Sequence, residues 1–168
     1  STSSAASDVY KRQLSNLMPI ATKSDFINLS SEKKTEELAK KISKKLKLGH
    51  VVFFVGEMGV GKTTFIRYLI NNFQKQNGLK ITEVTSPTFN LLNEYQIKQI
   101  KINHYDLFRI NSLDEIHNLG LFDDITNAIT LIEWPQKIKP KPKNLIELNF
   151  EYGNDYKKRI LKIKGLNL

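Results

Sequence analysis

Five consecutive positions, Val51-Val52-Phe53-Phe54-Val55, are apolar and are flanked on both sides by turn residues. A run of that length predicts a strand buried on both faces, as in a parallel sheet. Ahead of it, Leu38, Ile42 and Leu46 recur at i, i+4 and i+8 beneath a lysine-rich face. That spacing predicts a helix capped by Ser30 or Ser31 and ended by Gly49, with a short strand at Phe26–Leu29 before it. After the apolar run a Gly-rich turn leads into a second helix, which places Phe65, Ile66, Leu69, Ile70 and Phe73 on one face. Two alternating segments, Asn90–Ile97 and Ile100–Tyr105, predict an antiparallel pair turning at Lys98-Gln99. Ser112 caps a short helix through about Leu119 and Gly120, and Ile129–Ile132 is a second buried strand. Lys137–Lys143, with Pro140 and Pro142, reads as a loop before two closing strands at Leu145–Phe150 and Arg159–Ile163. The expected fold is a single three-layer α/β domain, its mixed sheet carrying added antiparallel strands and helices on both faces.

Residues 1–17 are small and polar with no apolar period, and Met18 follows as a candidate initiator. Residues 1–24 therefore read as a disordered tail or a non-native scar rather than an organelle-targeting peptide, and the folded domain as residues 25–168. The net charge of +9 comes from 22 Lys but just 4 Arg. Arg is the residue that clamps phosphates and reads bases, so the charge is read as solvated lysine faces of an AT-rich genome's protein. There is no cysteine, which excludes disulfides, Cys-ligated metals and thiol chemistry. The three histidines, His50, His104 and His117, do not share metal-ligand spacing on one helix. The longest apolar run is far short of the roughly 20 residues that span a bilayer.

Chemistry enters at Gly56-Glu57-Met58-Gly59-Val60-Gly61-Lys62-Thr63, which fits G-x-x-x-x-G-K-[ST] at every fixed position, between a strand and a helix. Glycines let the backbone curl so that N–H groups face phosphate oxygens, and the helix N-terminus adds positive potential. Lys62 reaches the β- and γ-phosphates, Thr63 ligates Mg²⁺, and Thr64 is placed for the α-phosphate. Two acids compete for the metal shell. Glu133 ends the more hydrophobic strand, with an exposed charge beside Trp134 as its alternative reading. Asp106 ends an alternating strand, with an ion pair to Arg109 as its alternative. No Asn-Lys-x-Asp element is present to read guanine, which favours ATP. A small nucleoside or nucleotide kinase is the rival enzyme class, and a nucleic-acid-binding NTPase a third reading.

Gly56–Thr64, Ser86-Pro87-Thr88-Phe89, Asn93-Glu94-Tyr95, His104-Tyr105-Asp106-Leu107-Phe108-Arg109 and Ile132-Glu133-Trp134-Pro135, in that order and spacing, resemble the TsaE (YjeE) family. The resemblance runs from about Ser31 to Pro135. It implies a P-loop ATPase of tRNA threonylcarbamoyladenosine biosynthesis, using ATP and Mg²⁺ and docking on TsaB and TsaD. It also implies a bacterial cytoplasmic setting or an organellar copy, with tRNA met through the complex. Carried over by position, Lys62 and Thr63 keep their P-loop roles, Glu133 is the Mg²⁺ ligand, and Asp106 is the second essential acid. Thr35 lies near the adenine, and Ser86, Thr88 and Phe89 form a switch-like segment. Glu57, Met58 and Val60 replace the family's more usual Asp, Leu and Ala at positions where the backbone binds. Gln136 stands at a nucleotide-contact position where the family often has an acid. Lys157, Lys158 and Arg159 compete for a C-terminal basic contact.

Overall fold

The computed structural model describes residues 26–87 and 89–168, so the tail expected over residues 1–24, and Thr88, lie outside the described residues. Strand β1 is Ile27–Asn28, and helix α1 spans Glu32–Ser43. Ser31 is its N-cap, its hydroxyl accepting from the Lys34 N–H at 3.3 Å. The helix ends at Ser43, earlier than the expected stop at Gly49. Residues 44–48 turn instead so that Gly49, at φ +89°, can donate to the Ala128 carbonyl at 2.9 Å and feed the chain into the sheet. Leu46 nevertheless stays buried below Leu38 and Ile42.

Strand β2 is Val51–Val55, and helix α2 is Lys62–Gln76, with Phe65, Ile66, Leu69, Ile70 and Phe73 all buried as their spacing predicts. Strands β3 (Leu92–Ile97) and β4 (Ile100–Asp106) form the expected antiparallel pair. The first of them starts two residues late because Leu91 sits in the left-handed region at φ +59°. Helix α3 (Leu113–Asn118), β5 (Ile129–Glu133), β6 (Leu145–Tyr152) and β7 (Arg159–Lys164) complete the chain.

Among the described residues seven strands form one sheet in the order β1-β7-β6-β2-β5-β4-β3. Its four central strands, β6, β2, β5 and β4, are mutually parallel, and antiparallel strands flank them on both sides. One face packs Val52, Phe54, Ile102, Ile129, Leu131, Ile146 and Leu148 against α1 and α2. The other face packs Val51, Phe53, Tyr105 and Ile132 against Ile116 of the short α3 and apolar residues of the turns around it. The layers are therefore unequal, with two full helices on one side and one short helix on the other.

Parallel alignment is what positions the chemistry. It brings the carboxyl ends of β2, β4 and β5 to one edge, where ligands bind in open α/β sheets. In register, Phe54 of β2 and Asp106 of β4 both lie opposite Glu133 of β5.

A candidate nucleotide site at the carboxyl edge of the sheet

The turn after β2 requires glycine for steric reasons. A Cβ on Gly56 would lie 2.7 Å from the Phe150 carbonyl oxygen and 2.9 Å from Val60 Cγ1. Gly61 at φ +111° is the N-cap of α2, and no side chain caps that helix. Its first-turn N–H groups and the positive end of its dipole are thus left for an anion. Below the turn, Phe54, Phe65 and Phe150 pack with centroids 5.6–6.3 Å apart and tie β2, α2 and β6 together.

A cavity of about 260 Å³ opens beside this turn, lined by Gly59, Gly61, Lys62, Thr63, Thr64 and Met58 from one side. Asp106, Phe108, Glu133 and Trp134 line the other. Lys62 is 5% exposed, and its ammonium donates to the carbonyl of Gly56 and, at 3.3 Å, to that of Glu57. It also lies 3.6 Å from the centroid of the Trp134 ring, a cation–π contact. Trp134 adopts φ +58°, a conformation that costs a non-glycine residue roughly 1–2 kcal/mol. Burial holds the Lys62 ammonium below the usual lysine range, and the Glu133 and Asp106 carboxylates act in the opposite direction.

The acids are linked by one network. Thr63 Oγ1 donates to Glu133 Oε1 at 2.7 Å, and His104 Nε2 lies 2.8 Å from Glu133 Oε2. The Ser86 hydroxyl is 2.6 Å from Asp106 Oδ2 and 3.4 Å from Glu133 Oε2. Asp106 Oδ1 accepts from the Phe108 N–H at 3.0 Å. Glu133 is 2% exposed, which overturns its reading as an exposed strand-end charge. Asp106 takes its hydrogen bonds from Ser86 and Phe108, and no ion pair with Arg109 forms among the described residues.

The Thr63 hydroxyl and the Glu133 carboxylate are hard oxygen donors already in contact, the donor set that Mg²⁺ takes. Among the described residues no group of three or more His, Cys, Asp or Glu side chains is placed to hold a metal ion alone, so a cation here would share its shell with phosphate oxygens and water. The residues present fit that arrangement.

Other expected site residues fall around this centre. Glu57 contributes its carbonyl to Lys62, and Val60 is buried under the turn. Thr35 lies outside the cavity lining, its hydroxyl donating to the Ser31 carbonyl at 3.3 Å, and Gln136 is an exposed residue also outside the lining. Ser86 lines an adjoining 130 Å³ hollow with Asp106, Phe108 and Arg109, while Phe89 is 89% exposed. Arg67 turns away to pair with Glu32 at 3.3 Å. Of the three C-terminal basic candidates, Arg159 reaches the loop: a Cβ on Gly61 would lie 3.8 Å from its Nη1. Trp134, Phe108 and His104 were not singled out as site residues by sequence reasoning. The signal for His104 is its place two residues before Asp106, on the same face of an alternating strand.

Sheet order, the turn between β2 and α2, and the acids at the neighbouring strand ends define a single-domain P-loop fold. The crystal structure of Bacillus subtilis YdiB has that fold too, with a TM-score of 0.57 over 82% of this chain and 83% of that one, at 22% identity. The family model described as threonylcarbamoyl adenosine biosynthesis protein TsaE matches residues 29–160, and the chain belongs to the TsaE family. A tRNA threonylcarbamoyladenosine biosynthesis protein TsaE from Rickettsia bellii is 41% identical over 77% of this chain and 88% of its own length. The Rickettsia typhi protein of the same name is 40% identical over 83% and 94%, and that of Borreliella burgdorferi 35% over 74% and 90%. Among the described residues no helix is long and apolar enough to cross a membrane.

Proposed function

We propose that the protein binds and hydrolyses ATP with Mg²⁺, as a cytoplasmic subunit that works with TsaB and TsaD homologues in threonylcarbamoyl modification of the adenosine next to the tRNA anticodon. The observation that carries this reading is the meeting of Lys62, Thr63, Glu133 and Asp106 around one cavity at the carboxyl edge of the sheet. The lining holds one basic side chain, Lys62, which suits a single triphosphate better than the paired anionic ligands of a nucleotide kinase.

On this reading the loop N–H groups and the α2 terminus hold the phosphates, and Lys62 leaves its carbonyl partners to meet the β/γ oxygens. Thr63 and Glu133 would hold Mg²⁺, which supplies charge neutralisation at the phosphates when bound. Asp106, fixed through both oxygens by Ser86 and Phe108, orients the water whose oxygen bonds to the γ-phosphorus as the bond to the β–γ bridging oxygen breaks. Met58 and Phe108, 67% and 53% exposed at the cavity mouth, together with Phe89, offer apolar surface for a protein partner. That supports protein docking close to the site.

Trp134, the single tryptophan, is a built-in reporter because its ring covers Lys62. Titration should show Mg²⁺-dependent ATP binding with weaker GTP binding, and Lys62→Ala should lose most triphosphate affinity while staying folded. Equal affinities for ATP and GTP, or full binding by Lys62→Ala, would contradict the reading.

A further inference from the structure

Glu133 is a buried carboxylate, and each of its oxygens has a different main partner. Oε1 accepts from Thr63 at 2.7 Å. Near Oε2, the Ser86 hydroxyl has one proton and lies much closer to Asp106, 2.6 Å against 3.4 Å. That leaves His104 Nε2, at 2.8 Å, as the donor to Oε2. A carboxylate can accept only, so Nε2 carries a proton.

His104 is fully buried, on the strand face it shares with Ile102 and turned toward the helical side of the core. Among the described residues its buried Nδ1 has no hydrogen-bond partner. A histidine held for packing alone would satisfy both nitrogens, or be replaced by an apolar side chain at a gain in stability. Here one ring nitrogen goes unpaired while the other is aimed at a carboxylate 29 residues away in sequence.

We propose that His104 is the positioning residue of Glu133: by tying down Oε2 it fixes the rotation of the carboxylate and keeps Oε1 on Thr63, where a phosphate-bound cation would be shared. This rests on the Mg²⁺–ATP reading of the site. The logic is that of outer-shell partners generally, which orient a ligand without touching the metal and whose loss costs about 10–100-fold in metal affinity.

The test uses the full chain, Trp134 fluorescence, and a non-hydrolysable ATP analogue titrated in EDTA and then against Mg²⁺. In His104→Gln the amide nitrogen reaches about as far as Nε2, in His104→Asn about as far as Nδ1, and His104→Leu has no donor. All variants should bind the analogue in EDTA like wild type. The Mg²⁺ concentration giving half of the metal-dependent gain should stay near wild type in His104→Gln, and rise roughly 10–100-fold in His104→Asn and His104→Leu. Melting curves establish folding, and if His104→Leu does not fold, the contrast between Gln and Asn decides. Unchanged Mg²⁺ dependence in His104→Asn, an equal loss of affinity in EDTA, or no difference between Gln and Asn would overturn the role of His104. Wild-type binding that ignores Mg²⁺ would overturn the proposed function itself, and this proposal with it.

Discussion

Asp106 and Glu133 face each other across adjacent parallel strands, yet their surroundings differ enough to separate their tasks. Glu133 is buried, with Thr63 on one oxygen and His104 on the other. Asp106 is less buried and lines both the main cavity and the adjoining hollow. Glu133→Gln swaps a charged acceptor for a half-donor amide at the Thr63 contact, so Mg²⁺-dependent nucleotide binding should weaken. Asp106→Asn keeps the shape and should spare binding, but should slow hydrolysis by roughly 10²-fold or more, as loss of a positioned polar group does. Parallel binding and single-turnover assays on the two variants check this. Equal losses of binding in both would show that the two acids form one metal site.

At the scale of elements, the turn between β2 and α2 is held by backbone clearance as much as by its motif. Gly56→Ala should destabilise the fold by about 1–3 kcal/mol, because the added carbon meets the Phe150 carbonyl and Val60. Ser31→Ala, which removes the α1 cap, should cost about 1 kcal/mol and leave nucleotide binding intact. Chemical denaturation measures both. The same elements mark what the sequence reveals. The strand–loop–helix around Lys62, the helix face from Phe65 to Phe73 and the β3–β4 pair follow from local periodicity, because burial there repeats every two or every three to four residues. The end of α1 did not, since a contact with Ala128 far along the chain sets it. His104 on Glu133 and Arg159 beside Gly61 are likewise products of strand register, and Trp134 over Lys62 of a backbone angle unusual for its residue type. Local alternation puts His104 on the same face as Asp106, but no local pattern names the partners of these three residues.

For the molecule as a whole, the proposed function calls for a slow ATPase that a partner completes. Phosphoryl transfer to water needs positive charge at the γ-phosphate, and a missing arginine can cost 10³–10⁵-fold in rate. Arg67 is turned away to Glu32, and Arg109 is exposed beside the smaller hollow. Arg159 stands beside the loop, its Nη1 3.8 Å from where a Cβ on Gly61 would lie, and among the described residues its buried Nε has no hydrogen-bond partner. Arg159→Ala should therefore weaken nucleotide binding, whereas Arg67→Ala should not. Met58 and Phe108 at the cavity, together with exposed Phe89, are the surface on which a partner would bear. The most direct measurement is single-turnover ATP hydrolysis by the full chain, alone and with the TsaB–TsaD pair. Slow turnover is expected alone and a rise on adding the pair, a rise that Phe89→Asp diminishes without changing the basal rate. Fast turnover by the isolated protein, unchanged by the pair, would contradict that expectation.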